Sequence, residues 1–461
     1  MLRNGTAMTE QSFGGDVVHD IVGVGFGPSN LALAVAAAES PAPVSAVFLE
    51  RQAAFGWHRG MLLDDATMQV SFMKDLVTLR NPASRFSFLC YLHSRGRLID
   101  FINHKSLYPL RVEFHDYLEW AAAQVSGMVR YGHEVVDVHP VYERGRADHL
   151  MVVAQGPRTA TALRARNVVF ATGLSPQLPD GVTPSARVWH TQDLLHQVGH
   201  WSGAKRFVVV GAGQSAAEAT AFLHERFPGA EVCAVFSRYG YSPADDSPFA
   251  NRIFDPGAVD DFFTAPPQTK RLLLDYHRST NYSVVDLDLI NDLYRRVYQE
   301  KVLGQERLRI LNASRLTGVR DGGDRVQVEV SSLLTGERTE LDADILVCAT
   351  GYRQADPSGL LGDLAGHLRR DGDGRLVAGR DYRLSTGSDL ACGVYLQGGT
   401  EHSHGLTSSL LSATAVRAGE ILQSVLDHRD GPAATLTAEV PALITRPRVA
   451  AAQPAVLGGA V

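Results

Sequence analysis

Cysteine is scarce in this chain of 461 residues, and the four present exclude several chemistries. Cys90, Cys233, Cys348 and Cys392 are scattered, so the chain offers neither a Cys-x-x-Cys redox pair nor a clustered zinc site. Cys233 and Cys348 lie inside apolar runs and read as core packing, a usage that fits a reducing cytoplasm. A basic excess is missing too. Forty-four bases against fifty acids leave a formal charge of −6, which argues against nucleic acid as a partner. No window reaches the roughly 18 uninterrupted apolar residues of a membrane span, and residues 1–16 lack the apolar core of a signal peptide. There is no Ser/His/Asp spacing and no nucleophile elbow. His402 and His404 stand at i, i+2 without an evident third ligand, so no metal site is expected. A chain without nucleophile, metal or redox disulfide draws its chemistry from a cofactor.

Two glycine turns show which cofactors. Gly23-Val24-Gly25-Phe26-Gly27-Pro28-Ser29 follows the apolar run Ile21-Val22, and Gly211-Ala212-Gly213-Gln214-Ser215-Ala216 follows Phe207-Val208-Val209-Val210. Each reads as a buried strand turning into a helix whose N-terminal amides hold a pyrophosphate. At the same offset from the first glycine, the next strand ends in Glu50 in one case and Arg238 in the other. An acid there bonds a ribose 2′-hydroxyl, whereas an arginine pairs with a 2′-phosphate. The pattern predicts one unphosphorylated dinucleotide and one NADP, the plan of a flavoprotein that takes hydride from NADPH. Pro28 and Ala216 stand where the third glycine usually does. Proline suits the first turn of a helix but brings no N–H donor. The first cradle therefore leans on neighbouring amides and the Ser29 hydroxyl.

Apolar content of 45% and charged content of 20% are those of a globular protein, and the length allows two or three domains. The expected class is α/β, with two Rossmann-like dinucleotide-binding domains and a helical insertion forming the substrate site. A first domain is read over 17–203 and a second over 204–350, with a polar, aromatic insertion at 243–303. Residues 351–430 return to the first domain, and 1–16 and 431–461 are expected to be mobile tails. Helices are expected at 84–94, 111–125 and 408–426, and a hairpin-like pair at 131–142 and 150–154. Ala171-Thr172-Gly173 and Ala349-Thr350-Gly351 each close an apolar strand, in places where the chain would cross between domains.

Several longer strings carry a resemblance. They are Phe55-Gly56-Trp57-His58-Arg59-Gly60-Met61, the run from Met68-Gln69 through Lys74-Asp75 to Arg80, and Asp245-Asp246-Ser247-Pro248-Phe249-Ala250-Asn251. Asn281-Tyr282-Ser283 and His404-Gly405-Leu406-Thr407-Ser408-Ser409 complete them. Together with the glycine turns, they resemble the flavin-dependent N-hydroxylating monooxygenases of the ornithine/lysine N-monooxygenase family over roughly residues 19–426. The resemblance implies FAD, NADPH and dioxygen as co-reactants, and N5-hydroxylation of L-ornithine through a C4a-hydroperoxyflavin for hydroxamate siderophore or related biosynthesis. It further implies a homo-oligomer, a tetramer in the family.

Carried over residue by residue, the resemblance places Lys74 on the amino-acid α-carboxylate. Without it, Lys74 would read as a surface partner of Asp75. Asn251 and Asn281 are placed at the substrate, with Asn281 nearest the reacting amine and also touching NADPH. Ser408 or Ser409 completes that grip, Ser408 being preferred. Gln69 is expected beside the flavin ring, and Trp57, His58 and Leu406 at FAD. Gly23, Gly25, Gly27, Pro28, Ser29 and Glu50 form the FAD turn; Gly211, Gly213, Gln214, Ser215 and Arg238 hold NADPH. Lysine or a diamine as substrate is the nearest alternative. A non-hydroxylating two-dinucleotide reductase is more distant, and its disulfide form lacks the cysteine pair it needs.

Overall fold

The structure is a computed structural model that describes residues 12–143, 145–277, 280, 282–387 and 390–429. Two sheets organise it. The first has seven strands: Val129–Tyr131, Ala46–Glu50, Ser12–Val24 and Ala160–Phe170 run parallel, and Arg146–Gln155 and Glu134–Glu143 continue antiparallel. Gly393–Leu396 joins Ala160–Phe170 in parallel, so the chain's return completes this sheet late in the sequence. The second sheet is wholly parallel, in the order Leu308–Leu311, Glu231–Val235, Arg206–Val210, Ile345–Cys348, Val188–His190. Parallel strands covered on both faces read as continuous apolar runs. Phe207, Val208 and Val209 are accordingly buried, with odd and even positions feeding different cores.

The first turn feeds helix Pro28–Ala38, which carries Pro28 at its start and buries every residue from Asn30 to Ala37. A helix apolar all round must be covered on every side. The sheet covers one side, and the C-terminal helix Thr414–Arg429 packs on another. The insertion holds helices Pro256–Thr264, Pro267–Tyr276 and Leu287–Leu303, and a bridge between Pro243 and Val285 closes the part before the last of them. Both crossing segments meet as well: Leu174–Pro176 pairs antiparallel with Tyr352–Gln354, directly after the two Ala-Thr-Gly turns.

Several details depart from the sequence reading. Strand Ser12–Val24 starts inside the segment expected to be a tail, pairing Ser12 and Phe13 with Thr161 and Ala162. Residues 1–11 and 430–461, the remainder of the expected tails, lie outside the described residues. The last helix begins at Thr414 rather than 408, because residues 406–409 and 411–413 form separate 3-10 turns around an extended Leu410. Helix Leu98–His104 and strands Val188–His190 and Arg338–Ala343 are additional elements. Cys233, Cys348 and Cys392 are buried and Cys90 is exposed. Burial pushes the thiols of Cys233 and Cys348 up to about 12.

Candidate functional site

The two glycine turns are built alike. Gly25 has φ +83°, and a Cβ there would sit 2.6 Å from the Ala171 carbonyl oxygen. Gly211 has φ +145°, and its Cβ would sit 2.3 Å from the Ala349 carbonyl oxygen. Each Ala-Thr-Gly segment thus backs one glycine turn, which explains why both positions exclude a side chain. At Gly23 a Cβ would strike the Phe48 ring at 2.2 Å, whereas at Gly27 it meets nothing within 4 Å. The turn is tight behind and open in front, the shape a diphosphate needs. Pro28 and Ser29 begin the helix there.

Glu50 ends its strand as expected, buried, but its carboxylate is already engaged. It accepts from Phe26 N at 2.7 Å and from Gln52 N at 2.8 Å. Each oxygen keeps a second lone pair for a ribose hydroxyl. In the second turn, Gly213 precedes helix Gln214–Arg226. Arg238 donates from Nη1 to the Ser283 carbonyl at 2.7 Å and lines the cleft together with Ser215. The Gln214 side chain is turned away to Asp286: Nε2 donates to Oδ2 at 2.9 Å, and Oε1 accepts from Asp286 N at 2.8 Å. Its side chain is therefore committed to Asp286, while its backbone stands at the start of the helix.

Between the sheets lies a cleft of about 1830 Å³, lined from one side by His58, Gln69 and Thr172 and from the other by Gly211, Gly213 and Arg238. Gln69 is exposed and donates to Asp286 Oδ1 at 3.2 Å. His58 has φ +51° and is exposed on the cleft wall, where the protein packed around its open face still desolvates the ring. That desolvation, helped by the charge of Arg111, lowers its pKa to about 4, so it is neutral at pH 7. Trp57 packs edge-on against His58, with ring centroids 4.8 Å apart, and lies against the core beneath the first helix.

Lys74, Asn251 and Ser408 gather on the insertion side. Asp75 is buried and accepts from the backbone of Val77, Thr78 and Phe88 and from the Thr78 hydroxyl, so it folds its own loop rather than pairing with Lys74. Lys74 is half-buried, its Nζ 5.8 Å from the Phe254 ring centre, with no carboxylate in ion-pair distance among the described residues. Burial lowers its pKa, and nearby Asp255 partly offsets that. Asn251 starts a short helical segment, Ala250–Phe254, that packs on Leu406–Ser409. Its Nδ2 donates to the carbonyls of Asp246 at 2.6 Å and Ser247 at 3.3 Å. Ser408 is 1% exposed, and its hydroxyl has no partner among the described residues. Leu406 is equally buried. Asn281 lies outside the described residues.

His402 and His404 each direct Nε2 to a backbone carbonyl, of Leu376 and Arg380 respectively. Among the described residues no group of metal-binding side chains occurs. Three features went unread in the sequence: Asp286, which joins Gln69 to Gln214; the ion pair of Arg111 with Glu218; and the buried Arg417. Only Arg417 left a trace, as a cation within the apolar run of the last helix.

The sequence profile of the L-lysine 6-monooxygenase/L-ornithine 5-monooxygenase family matches residues 17–354. An L-ornithine N(5)-monooxygenase of Burkholderia cepacia is 43% identical over 404 residues, covering 85% of this chain and 90% of that protein. The ornithine N-hydroxylase of Kutzneria sp. 744, solved with reduced FAD, NADP+ and L-ornithine, is 50% identical with a TM-score of 0.87. It covers 89% of this chain and 99% of its own. The L-lysine 6-monooxygenase of Pseudomonas syringae is 32% identical with a TM-score of 0.78, covering 89% of this chain and 100% of its own. In its sequence and in its fold, this chain belongs to the L-lysine 6-monooxygenase/L-ornithine 5-monooxygenase family.

Proposed function

We propose that this chain is an FAD- and NADPH-dependent monooxygenase that hydroxylates the side-chain amine of L-ornithine at N5, for hydroxamate siderophore or related biosynthesis. The observation that carries this reading is one cleft opening on the second glycine turn, Arg238, His58 and Gln69 together. Ornithine is favoured over lysine by likeness: relatives named for ornithine are 50% and 43% identical, against 32% for the lysine enzyme.

FAD, when bound, would supply the redox chemistry, taking hydride from NADPH and activating dioxygen, the co-substrate in this reading. The residues of the chain do the rest. The open face at Gly27, with Ser29 beside it, receives the FAD diphosphate, and Glu50 receives its ribose. Helix Gln214–Arg226 receives the NADPH pyrophosphate on its N-terminus, and Arg238 the 2′-phosphate. Lys74 keeps its charge available for the α-carboxylate, since Asp75 is used elsewhere. A free alkyl amine has a pKa of about 10.4, so the reacting nitrogen must be held unprotonated. Neutral amides such as Asn251, with Asn281 expected beside it, suit that better than a carboxylate would. His58, neutral at pH 7, adds no cation to repel the ammonium on entry. The reading also includes the domain division at 203/204 and 350/351, a homotetramer, and a cytoplasmic setting. The buried thiols of Cys233, Cys348 and Cys392 support the last of these.

The test is hydroxylamine formed per NADPH consumed, run in parallel for ornithine, lysine and putrescine. Coupled turnover should be highest with ornithine. Lysine, one methylene longer, should bind poorly or stimulate NADPH oxidation with hydrogen peroxide release. Putrescine, without a carboxylate for Lys74, should be poor. Highest coupling with lysine or putrescine would overturn the ornithine assignment.

A further inference from the structure

Arg417 is among the largest fully buried side chains, at 2% exposure, and no described carboxylate pairs with it. Glu420, one turn further along the same helix, is taken by Arg380 in a two-pronged pair at 2.8 and 2.9 Å. The partners of Arg417 are all neutral. Nη1 donates to the carbonyls of Ser408 at 2.8 Å and Thr407 at 3.2 Å, and Nη2 to the hydroxyls of Thr414 at 3.2 Å and Ser29 at 3.3 Å. Nε has no partner among the described residues. A guanidinium does not shed its proton in a protein, so a whole positive charge sits here among neutral acceptors, an arrangement that burial makes costly unless an anion lies close.

Glu420 is close enough to act on Arg417 but its oxygens are held by Arg380, and the other place Arg417 reaches is the first glycine turn, through Ser29. Ser29 is the second residue of helix Pro28–Ala38, and Pro28 before it has removed one amide donor from the cradle. A hydroxyl has one donor and two acceptor lone pairs. With Ser29 Oγ accepting from Arg417, its proton is left for the open space beside Gly27. Gln397 fixes Ser29 from another side, donating to its carbonyl at 3.2 Å and to Asn30 Oδ1 at 2.9 Å. The other prong of Arg417 holds the carbonyl ends of the 3-10 turn Leu406–Ser409, where unsatisfied carbonyls gather.

We infer that Arg417 is a positioning residue that lends positive charge to the FAD diphosphate through the Ser29 hydroxyl and, with the same guanidinium, holds the loop carrying Ser408, so that FAD binding and ornithine binding are coupled. This rests on the reading of residues 23–29 as the FAD cradle. One charge serves two ligand sites, and by linkage each site strengthens the other.

The experiment uses the full chain stripped of flavin, titrated with FAD and followed by quenching of flavin fluorescence, with KM values for ornithine and NADPH at saturating FAD. Arg417→Gln should raise the FAD Kd about tenfold or more, the loss of a charge-assisted interaction. It should raise the ornithine KM severalfold and leave the NADPH KM unchanged. Ser29→Ala should raise the FAD Kd by roughly three- to tenfold and leave the ornithine KM alone, because the Ser408 loop keeps its clamp. Should Arg417→Gln fail to fold, Arg417→Lys takes its place, with FAD affinity partly rescued and the ornithine KM raised. An unchanged FAD Kd in Ser29→Ala, or equal rises in the ornithine and NADPH KM on changing Arg417, would overturn the inference. Gly25→Ala separates the two levels: unchanged FAD affinity there would overturn the cradle itself. Loss there beside unchanged Ser29 and Arg417 variants would overturn only the coupling.

Discussion

Asp75 determines what Lys74 is free to do. By accepting four hydrogen bonds from residues 77, 78 and 88, it leaves the neighbouring ammonium half-buried and without a carboxylate at ion-pair distance among the described residues. Lys74→Ala should therefore raise the ornithine KM strongly, since losing a charged hydrogen-bonding partner costs about 1.5–3 kcal/mol, or roughly ten- to a hundredfold. FAD content and NADPH-driven flavin reduction should stay near normal. A normal ornithine KM would remove Lys74 from the carboxylate, and loss of flavin would make it a structural lysine. Arg238 gives the matching case on the nucleotide side. One prong is held by Ser283, which leaves the rest of the fork facing the cleft. Arg238→Ala should lower the ratio of kcat/KM for NADPH to that for NADH by about tenfold or more. An unchanged ratio would remove it from the 2′-phosphate. Lys74 was singled out through the resemblance, since its letters alone suit a surface pair with Asp75, and only the folded chain shows Asp75 engaged elsewhere. Arg417 and Asp286 were not, because their meaning depends on partners hundreds of residues away or across the insertion.

At the scale of elements, the sequence exposed the strand-turn-helix units because their signals are local. An apolar run, a glycine that must adopt positive φ and the start of a helix fall within a few residues of one another. The parallel roles of the two Ala-Thr-Gly segments became clear only in space, where Ala171 and Ala349 close against Gly25 and Gly211. Other elements were missed for identifiable reasons. Strand Arg338–Ala343 buries only Leu341 and Ala343, too weak an alternation to stand out. Strand Val188–His190 is three residues long and owes its state to pairing with residues 346–348. Residues 408–413 have helix-compatible letters, yet the Ser408 carbonyl goes to Arg417, the Thr407 carbonyl is shared between Arg417 and the Leu410 amide, and Leu410 is extended. There a tertiary bond overrides local propensity.

Across the whole molecule, the halves are tied by more than their crossing strands. Arg111, at the start of helix Arg111–Gln124, grips Glu218 on the second dinucleotide helix through two hydrogen bonds of 2.7 and 2.9 Å, with side-chain exposures of 12% and 5%. The same Glu218 accepts from Gln214, which bonds Asp286, which accepts from Gln69. A continuous polar chain therefore runs from the second glycine turn to Gln69, the residue expected beside the flavin. Removing one member of a buried ion pair typically costs about 3–5 kcal/mol, because the other is left uncompensated. Glu218→Gln should accordingly lower the melting temperature. Because the pair sets how the second helix sits against the first domain, it should also slow NADPH-driven flavin reduction while leaving FAD affinity unchanged. Anaerobic stopped-flow bleaching of the flavin measures the rate, and fluorescence titration the affinity. A slowed reduction with intact FAD binding would mean that hydride transfer depends on this tie between the halves. A lowered melting temperature with an unchanged reduction rate would make the pair a stabilising contact alone, and the alignment of the two cofactors would then rest on the paired strands at 174–176 and 352–354.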